Sequence, residues 1–233
     1  MMNIIPYNNL GKANYGWLNA HYHFSFSRYY NPDRMGFGPL RVVNDDIVAA
    51  GKGFDPHGHD NMEIITYVRK GAISHKDSHG NVGRTEAGDV QVMSAGSGVV
   101  HSEYNLEDED TQLYQIWIMP DKLDVSPAWA QMKFPKEPVD DHLTLVVSGN
   151  PDDQALHIHQ DAAIYAGRLE AGTVLRHVSE KPSYILASDG KMTINGNLIT
   201  KGDAAEVDEP EALVIEALEP SEVLIIEVPY NDR

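Results

Sequence analysis

The feature that most constrains this sequence is its pattern of short apolar stretches, in which apolar and polar residues alternate and turn residues intervene. Alternation with a period of two is typical of strands that bury one face, whereas an amphipathic helix repeats about every 3.6 residues. The clearest stretches are residues 62–68, 113–118, 143–147 and 223–228. Gly, Asn and Asp cluster between them, as hairpin turns require. The sequence therefore predicts an all-β protein built from many short strands.

One segment departs from this pattern and predicts a helix. Residues 126–132 begin with Ser126, a preferred N-cap residue, and Pro127, which is favoured at the first helical position. The surrounding residues 120–141 hold four prolines among charged side chains, which indicates a connecting segment. We therefore expect two domains, at residues 1–134 and 135–233.

The two halves of the chain echo each other. In the first half an apolar stretch ends at Gly71, a hairpin tip follows, and Gly88 lies in a Gly-Asp turn before the next stretch. Gly190 and Gly202 occupy the corresponding places in the second half. Such internal similarity suggests that the two domains are structurally related.

Composition excludes several classes of protein. The chain has 18 Lys+Arg and 35 Asp+Glu, a formal net charge of −17, which opposes direct binding to nucleic acid or to anionic membranes. It has no cysteine, and so no disulfide, thiolate metal site or cysteine nucleophile. Residues 1–7 show no signal-peptide pattern, and no apolar run approaches the ~18 residues of a membrane span. We expect a cytoplasmic protein.

Candidate metal ligands occur in two clusters. His57 and His59 form one pair, and His101 and Glu103 form another after a Gly-rich turn. Residues i and i+2 of a strand share a face and lie ~6.6 Å apart, so each pair can bind one ion. Two pairs on adjacent strands would supply three imidazoles and a carboxylate. That set suits Fe, Mn, Co, Ni, Cu or Zn and is too rich in nitrogen for Mg or Ca.

The carboxylate ligand has two candidates. Glu63 shares the parity of His59, but it lies ~13 Å away along an extended strand unless the chain turns at residues 60–61. The spacing favours Glu103 and leaves Glu63 as the alternative.

The remaining histidines favour ordinary structural roles. His75 and His79 flank a hairpin tip, and we expect both to be solvated. His157 and His159 form a second His-x-His pair, but no His-x-Glu follows in that half. A lone His-x-His is more often surface decoration than a ligand pair.

The residues around the first two pairs resemble the paired motifs of cupins, and more closely those of the pirin family. The motifs run Gly51-(x5)-His57-x-His59-(x3)-Glu63-(x7)-Gly71 and Gly88-(x7)-Gly96-x-Gly98-(x2)-His101-(x3)-Asn105. The spacing from Glu63 to Gly71 and the longer turn before His101 depart from general cupins in the way pirins do. The similar stretches span most of residues 14–120, whereas the second half matches only in outline.

This resemblance implies a bicupin, with two antiparallel β-barrel (double-stranded β-helix) domains packed face to face. The N-terminal domain would hold one divalent transition metal ion through His57, His59, His101 and Glu103, and the C-terminal domain would be metal-free. Fe(II) is the ion that the resemblance favours, with Ni, Co, Mn, Cu and Zn as alternatives.

The activity implied by the resemblance is that of a quercetin 2,3-dioxygenase. A flavonol such as quercetin would be cleaved with O2 and carbon monoxide released, and Glu103 would accept the proton of the substrate's 3-hydroxyl. One alternative is a regulatory module that binds a protein partner, as a pirin-like transcription cofactor or redox sensor. Another is a cupin enzyme that acts on a different small metabolite. The sequence leaves these possibilities open.

Overall fold

The computed structural model describes residues 2–230, and it confirms the all-β prediction. A 3-10 turn covers Tyr7–Asn9, and no helix within the described residues has the length and apolar character to span a bilayer. In chain order the strands are β1 (Met2–Ile5), β2 (Gly11–Asn14), β3 (Leu18–Tyr22), β4 (Leu40–Val48), β5 (Gly53–His59), β6 (Glu63–Lys70), β7 (Ala72–Asp77), β8 (Val82–Glu86), β9 (Val90–Ser94), β10 (Val99–Tyr104), β11 (Thr111–Ile118), β12 (Ala128–Met132), β13 (Thr144–Ser148), β14 (Leu156–His157), β15 (Ala163–Leu169), β16 (Val174–Val178), β17 (Ser183–Asp189), β18 (Lys191–Ile194), β19 (Asn197–Thr200), β20 (Ala204–Val207), β21 (Ala212–Ala217) and β22 (Ser221–Glu227).

The chain divides into two units, each built from a larger and a smaller antiparallel sheet. The first unit comprises residues 11–134 and 156–160, and the second comprises residues 2–10, 135–155 and 161–230. This division differs from the predicted domains in two segments. Strand β1 pairs with β20, with Ile4 opposite Ala205, so residues 2–10 belong to the second unit, whereas residues 156–160 belong to the first.

The first unit has a seven-stranded sheet in the order β12-β9-β6-β11-β4-β3-β2. Its central strands β6 and β11 are buried along most of their length, including polar residues such as Glu63 and Gln115. The smaller sheet runs β5-β10-β7-β8 and carries both clusters of candidate ligands. The register of β10 between β5 and β7 therefore decides which side chains meet.

The internal echo corresponds to a shared topology. Strands β6 and β9 pair in a larger sheet while β7 and β8 form a hairpin in a smaller one, and β17–β20 repeat this arrangement. Gly71 and Gly190 mark the passage from one sheet to the other, with φ of 74° and 77°. A Cβ at Gly71 would lie 2.6 Å from the Thr111 hydroxyl, and one at Gly190 would lie 2.3 Å from the Pro220 carbonyl oxygen. Both turns therefore require glycine.

The helix predicted for residues 126–132 is wrong. Residues 128–132 form β12, which pairs with the outer edge of β9 and places Trp129 opposite Met93. Trp129 packs against a buried apolar cluster that includes Met93. The capping signal was local, and strand pairing with apolar packing outweighs it.

In the second unit the larger sheet contains β1-β20-β17-β22-β15-β13 and the smaller runs β16-β21-β18-β19. Alternate residues of these strands form one apolar core that includes Ile185, Ile215 and Ile225. This unit thus has its own core, independent of the candidate ligands.

Candidate metal centre

Three histidines from neighbouring strands lie together in the smaller sheet of the first unit. His57 and His59 are two residues apart on β5 and share a face, and His101 on β10 is the antiparallel partner of His57. The ring centroid of His101 lies 4.5 Å from that of His57 and 5.0 Å from that of His59. Each ring offers a nitrogen within 4.8 Å of the others, a separation at which one ion can contact all three.

The hydrogen bonds leave ring nitrogens free to bind an ion. His57 Nδ1 lies 2.7 Å from the Asp55 carbonyl oxygen, which only accepts, so Nδ1 carries the proton and Nε2 keeps its lone pair. His101 Nε2 is buried and has no hydrogen-bond partner among residues 2–230. Burial, reinforced by the neighbouring histidines, lowers the pKa of His59 to about 4 and that of His101 to about 3. Neutral imidazoles are the form that ligates transition metals.

Glu103 is buried at the centre of a hydrogen-bond network. Gln91 Nε2 donates to its Oε1 at 2.7 Å, Gln115 Nε2 donates to its Oε2 at 2.5 Å, and the Thr66 hydroxyl donates to Oε1 at 3.2 Å. Burial raises the pKa of Glu103 to about 7, although these hydrogen bonds favour the ionised form. The carboxylate is therefore held in one orientation and is able to exchange a proton near neutral pH.

The structure places Glu103 beside His101, after a shift in strand register between the two residues. Glu103 and His101 form a set of donor atoms within 4.8 Å together with His75, and not with His57 and His59. His101 thus belongs to both sets and links the carboxylate to the other two histidines.

Glu63, the alternative carboxylate, lies elsewhere. It is buried on β6, where the Ser94 hydroxyl donates to its Oε2 at 2.6 Å. Burial raises its pKa to about 7, as it does for Glu103. Glu63 belongs to neither set of donor atoms.

The expectation that His75 is solvated is wrong. Its side chain is 2% exposed, its Nε2 lies 3.0 Å from Asp77 Oδ2, and the Trp129 ring stacks on it with centroids 5.0 Å apart. Strand β7 lies inside the smaller sheet, and Trp129 reaches it from β12. The His-x-Asp spacing could have indicated the pairing, but its burial depends on a strand that was predicted to be a helix. His79, on the same hairpin, is exposed as predicted.

The second His-x-His motif forms no comparable cluster. The rings of His157 and His159 lie 5.0 Å apart in a T-shaped contact, and His157 is exposed. No third metal-ligating side chain within the described residues joins them.

A cavity of about 720 Å³ opens onto the histidine cluster, within the range of ~300–1,000 Å³ typical of small-molecule sites. His57, His59, His101 and Glu103 all line it. Its apolar wall is formed by aromatic side chains: Trp17, Tyr22, Phe26, Phe54 and Trp117. Trp117 meets the His59 ring nearly edge-on, at 5.0 Å between centroids. Flat apolar groups would find complementary surfaces beside the histidines.

Three polar residues that sequence reasoning missed also line the cavity. Asn44 and Asp46 are two residues apart on β4, and Gln115 on β11 is the strand partner of Asn44, so all three share a face. Asn44 Oδ1, Asp46 Oδ1 and Gln115 Oε1 are buried and have no hydrogen-bond partner in the described part of the chain. Burial raises the pKa of Asp46 well above its usual value, so its carboxyl group can also donate a hydrogen bond. The three residues thus place polar groups beside the aromatic wall of the cavity.

Comparison with known proteins identifies the family. The sequence model of Pirin matches residues 5–118, and that of the quercetinase C-terminal cupin domain matches residues 145–228. A pirin-like protein of Caulobacter vibrioides is 44% identical over 225 residues, covering 95% of this chain and 97% of the relative. The chain belongs to the pirin family. The quercetin 2,3-dioxygenase of Escherichia coli K12 is 41% identical over 225 residues, covering 95% and 96%. A Pseudomonas aeruginosa protein named provisionally for the same activity is 51% identical over 226 residues, covering 96% of this chain and 97% of the relative.

Solved pirin structures share the fold. The crystal structure of the E. coli pirin YhhW matches with a TM-score of 0.93 and 40% identity, covering 100% of both chains. The complex of YhhW with nickel(II) matches with a TM-score of 0.91 and 40% identity, covering 98% of this chain and 99% of that one. These matches confirm the predicted bicupin, in which a pirin domain is followed by a second cupin-type domain.

Proposed function

We propose that this pirin is a metal-dependent dioxygenase that cleaves a flavonol such as quercetin with O2 and releases carbon monoxide. The observation that carries the proposal is the cavity itself, in which three histidines and Glu103 lie beside a wall of aromatic rings. The names of the E. coli and P. aeruginosa relatives support the same activity. In this proposal the domain predicted at residues 1–134 binds the metal, although its strand β1 pairs with the second unit, and the domain predicted at residues 135–233 is a cupin domain without a metal.

A divalent transition metal fits the residues present. The buried Nε2 of His101 has no hydrogen-bond partner among the described residues, and the Nε2 of His57 keeps its lone pair, so both nitrogens are available to an ion. Glu103 accepts three hydrogen bonds, which leaves about one of the roughly four lone-pair positions of a carboxylate. We propose His57, His59, His101 and Glu103 as the ligands.

The nickel complex of YhhW supports a divalent ion in a close relative. For this chain we propose Fe(II), the ion that the pirin resemblance implies. Ni, Co, Mn, Cu and Zn accept the same donors, so selectivity depends on geometry and on which ion is available.

The bound ion would supply a Lewis acid that stabilises an anionic substrate oxygen. The aromatic wall would hold the planar ring system. Glu103 has about one free lone-pair position, so its carboxylate would have to detach partly from the ion to accept the proton of the 3-hydroxyl. Gln91 and Gln115 keep that carboxylate oriented. In the overall reaction the bonds on both sides of carbon 3 break. Carbon 3 leaves as carbon monoxide with its own oxygen, and both atoms of O2 remain in the ring-opened ester acid.

Turnover of quercetin tests the proposal. Protein loaded with Fe(II) should consume O2 and release carbon monoxide in equal amounts, measured with an oxygen electrode and a haem-based carbon monoxide assay. Metal-free protein should do neither. Binding of the ion without turnover would instead favour the regulatory module, and consumption of quercetin without carbon monoxide would favour a different cupin reaction.

The polar side chains of the cavity predict which substrates bind well. Replacing Asn44 by leucine keeps the approximate size of the side chain but removes a polar group that lines the cavity. We expect the KM for quercetin to rise about 10-fold, because a lost hydrogen bond to a ligand hydroxyl is worth about 1–3 kcal/mol. The KM for 3-hydroxyflavone, which has the same ring skeleton without the additional hydroxyls, should change less than about 3-fold. Equal effects on both substrates would exclude Asn44 as a hydroxyl-binding residue.

A further inference from the structure

Two buried residues behind His101 are outside the proposed ligand set. His75 and Asp77 lie on β7, which pairs with β10 along the edge opposite to β5. In this register Asp77 is the strand partner of His101 and His75 is the partner of Glu103. His75 and Asp77 are 2% and 8% exposed. They therefore form the layer of side chains immediately behind one proposed ligand.

We propose that His75 and Asp77 are positioning residues that fix the tautomer and the orientation of His101. Asp77 Oδ2 is an acceptor and lies 3.0 Å from His75 Nε2, so that nitrogen donates its proton. A neutral His75 ring then has Nδ1 as an acceptor, 3.4 Å from His101 Nδ1. His101 must donate from Nδ1, which leaves its Nε2 lone pair for an ion. This inference rests on the proposed function only because it takes His101 to be a metal ligand.

Asp77 and His75 are each held in place by further contacts. The backbone N–H groups of His79 and Asn81 donate to Asp77 Oδ1 at 2.9 and 3.0 Å, and Asn81 Nδ2 donates to Oδ2 at 2.8 Å. The Trp129 ring stacks on His75 with an interplanar angle of 9°. Partners of this kind orient metal-ligating histidines, and their loss typically weakens metal binding ~10–100-fold.

The same geometry argues against a second ion at His75, His101 and Glu103, whose donor atoms also lie within 4.8 Å of one another. Both ring nitrogens of His75 already face hydrogen-bond partners. In this second set His75 therefore orients His101 through a hydrogen bond, and the set does not bind an ion of its own.

The tautomer of His101 can be measured without any metal. Long-range ¹H–¹⁵N spectra of metal-free protein should show His101 with its proton on Nδ1. In the His75→Phe variant, which keeps a ring against Trp129 but removes the acceptor, the Nε2-protonated form should appear. A wild-type His101 protonated on Nε2, or an unchanged tautomer in His75→Phe, would overturn the proposal. This result holds whether or not the protein cleaves flavonols.

Nickel affinity provides the second readout, by competition with a chromophoric chelator. His75→Phe should bind Ni²⁺ ~10–100-fold more weakly than wild type. His75→Gln should recover most of that loss, because a glutamine amide can donate to Asp77 and accept from His101. His79→Ala, on the exposed part of the same hairpin, should bind like wild type. Equal weakening in His75→Phe and His75→Gln, or none in either, would contradict a role through hydrogen bonding.

Discussion

Replacing His101 by alanine is expected to abolish stoichiometric metal binding at micromolar concentrations. His101 is the side chain shared by both sets of donor atoms, and its unpartnered Nε2 is buried. Loss of a direct ligand should cost more than the ~10–100-fold that follows from loss of a hydrogen-bonded partner. We therefore expect the affinity for Ni²⁺ or Fe(II) to fall by more than about 100-fold, as measured by chelator competition.

The matched control is His157→Ala. It removes an imidazole from the other His-x-His motif, whose rings lie 5.0 Å apart, so it also changes the histidine content by one. Its metal affinity should equal that of wild type. Thermal unfolding of the metal-free variants would show whether removal of the buried His101 ring unfolds the protein. A folded His101→Ala protein that binds the ion as tightly as wild type would refute the proposed centre.

Glu103→Gln is expected to lower kcat for quercetin by about 10²–10⁴-fold, the usual contribution of a general base, while some metal binding persists. The variant keeps the shape of the side chain but cannot accept the proton of the 3-hydroxyl. The network can adapt, because Gln115 Oε1 is unpartnered among the described residues and can accept from the new amide if Gln115 rotates. The variant should therefore fold and still bind substrate.

Glu63→Gln is the control for this variant. Glu63 is also a buried glutamate whose pKa burial raises to about 7, but it lies outside both donor sets. We expect its kcat to stay within about 3-fold of wild type, far below a general-base effect. Equal turnover by wild type and Glu103→Gln would remove the base role, and a large loss in Glu63→Gln would show that any buried carboxylate matters.

Much of the fold could be predicted because its signals are local. Alternating apolar residues specify strands, and turn glycines such as Gly71 specify hairpins, each over a distance of only a few residues along the chain. Two features depend on distant partners. Residues 128–132 become a strand because they meet β9, and β1 joins the second unit because Ile4 meets Ala205. Neither pairing leaves a local sequence signal.

The candidate site divides in the same way. The two-residue spacing predicted that His57 and His59 share a face, and the same spacing predicted it for His101 and Glu103. His75 was missed because its burial depends on Trp129, which arrives from another strand. Asn44 was missed because a polar residue in a strand is ordinary. It becomes a candidate binding residue only through the pairing of β4 with β11.

X-ray absorption at the nickel edge of wild-type protein loaded with one Ni²⁺ per chain would test the metal centre most directly. We predict a first shell of nitrogen and oxygen atoms, with outer-shell scattering from three imidazole rings. A spectrum with oxygen ligands alone, or with fewer than three imidazoles, would contradict an ion held by His57, His59 and His101.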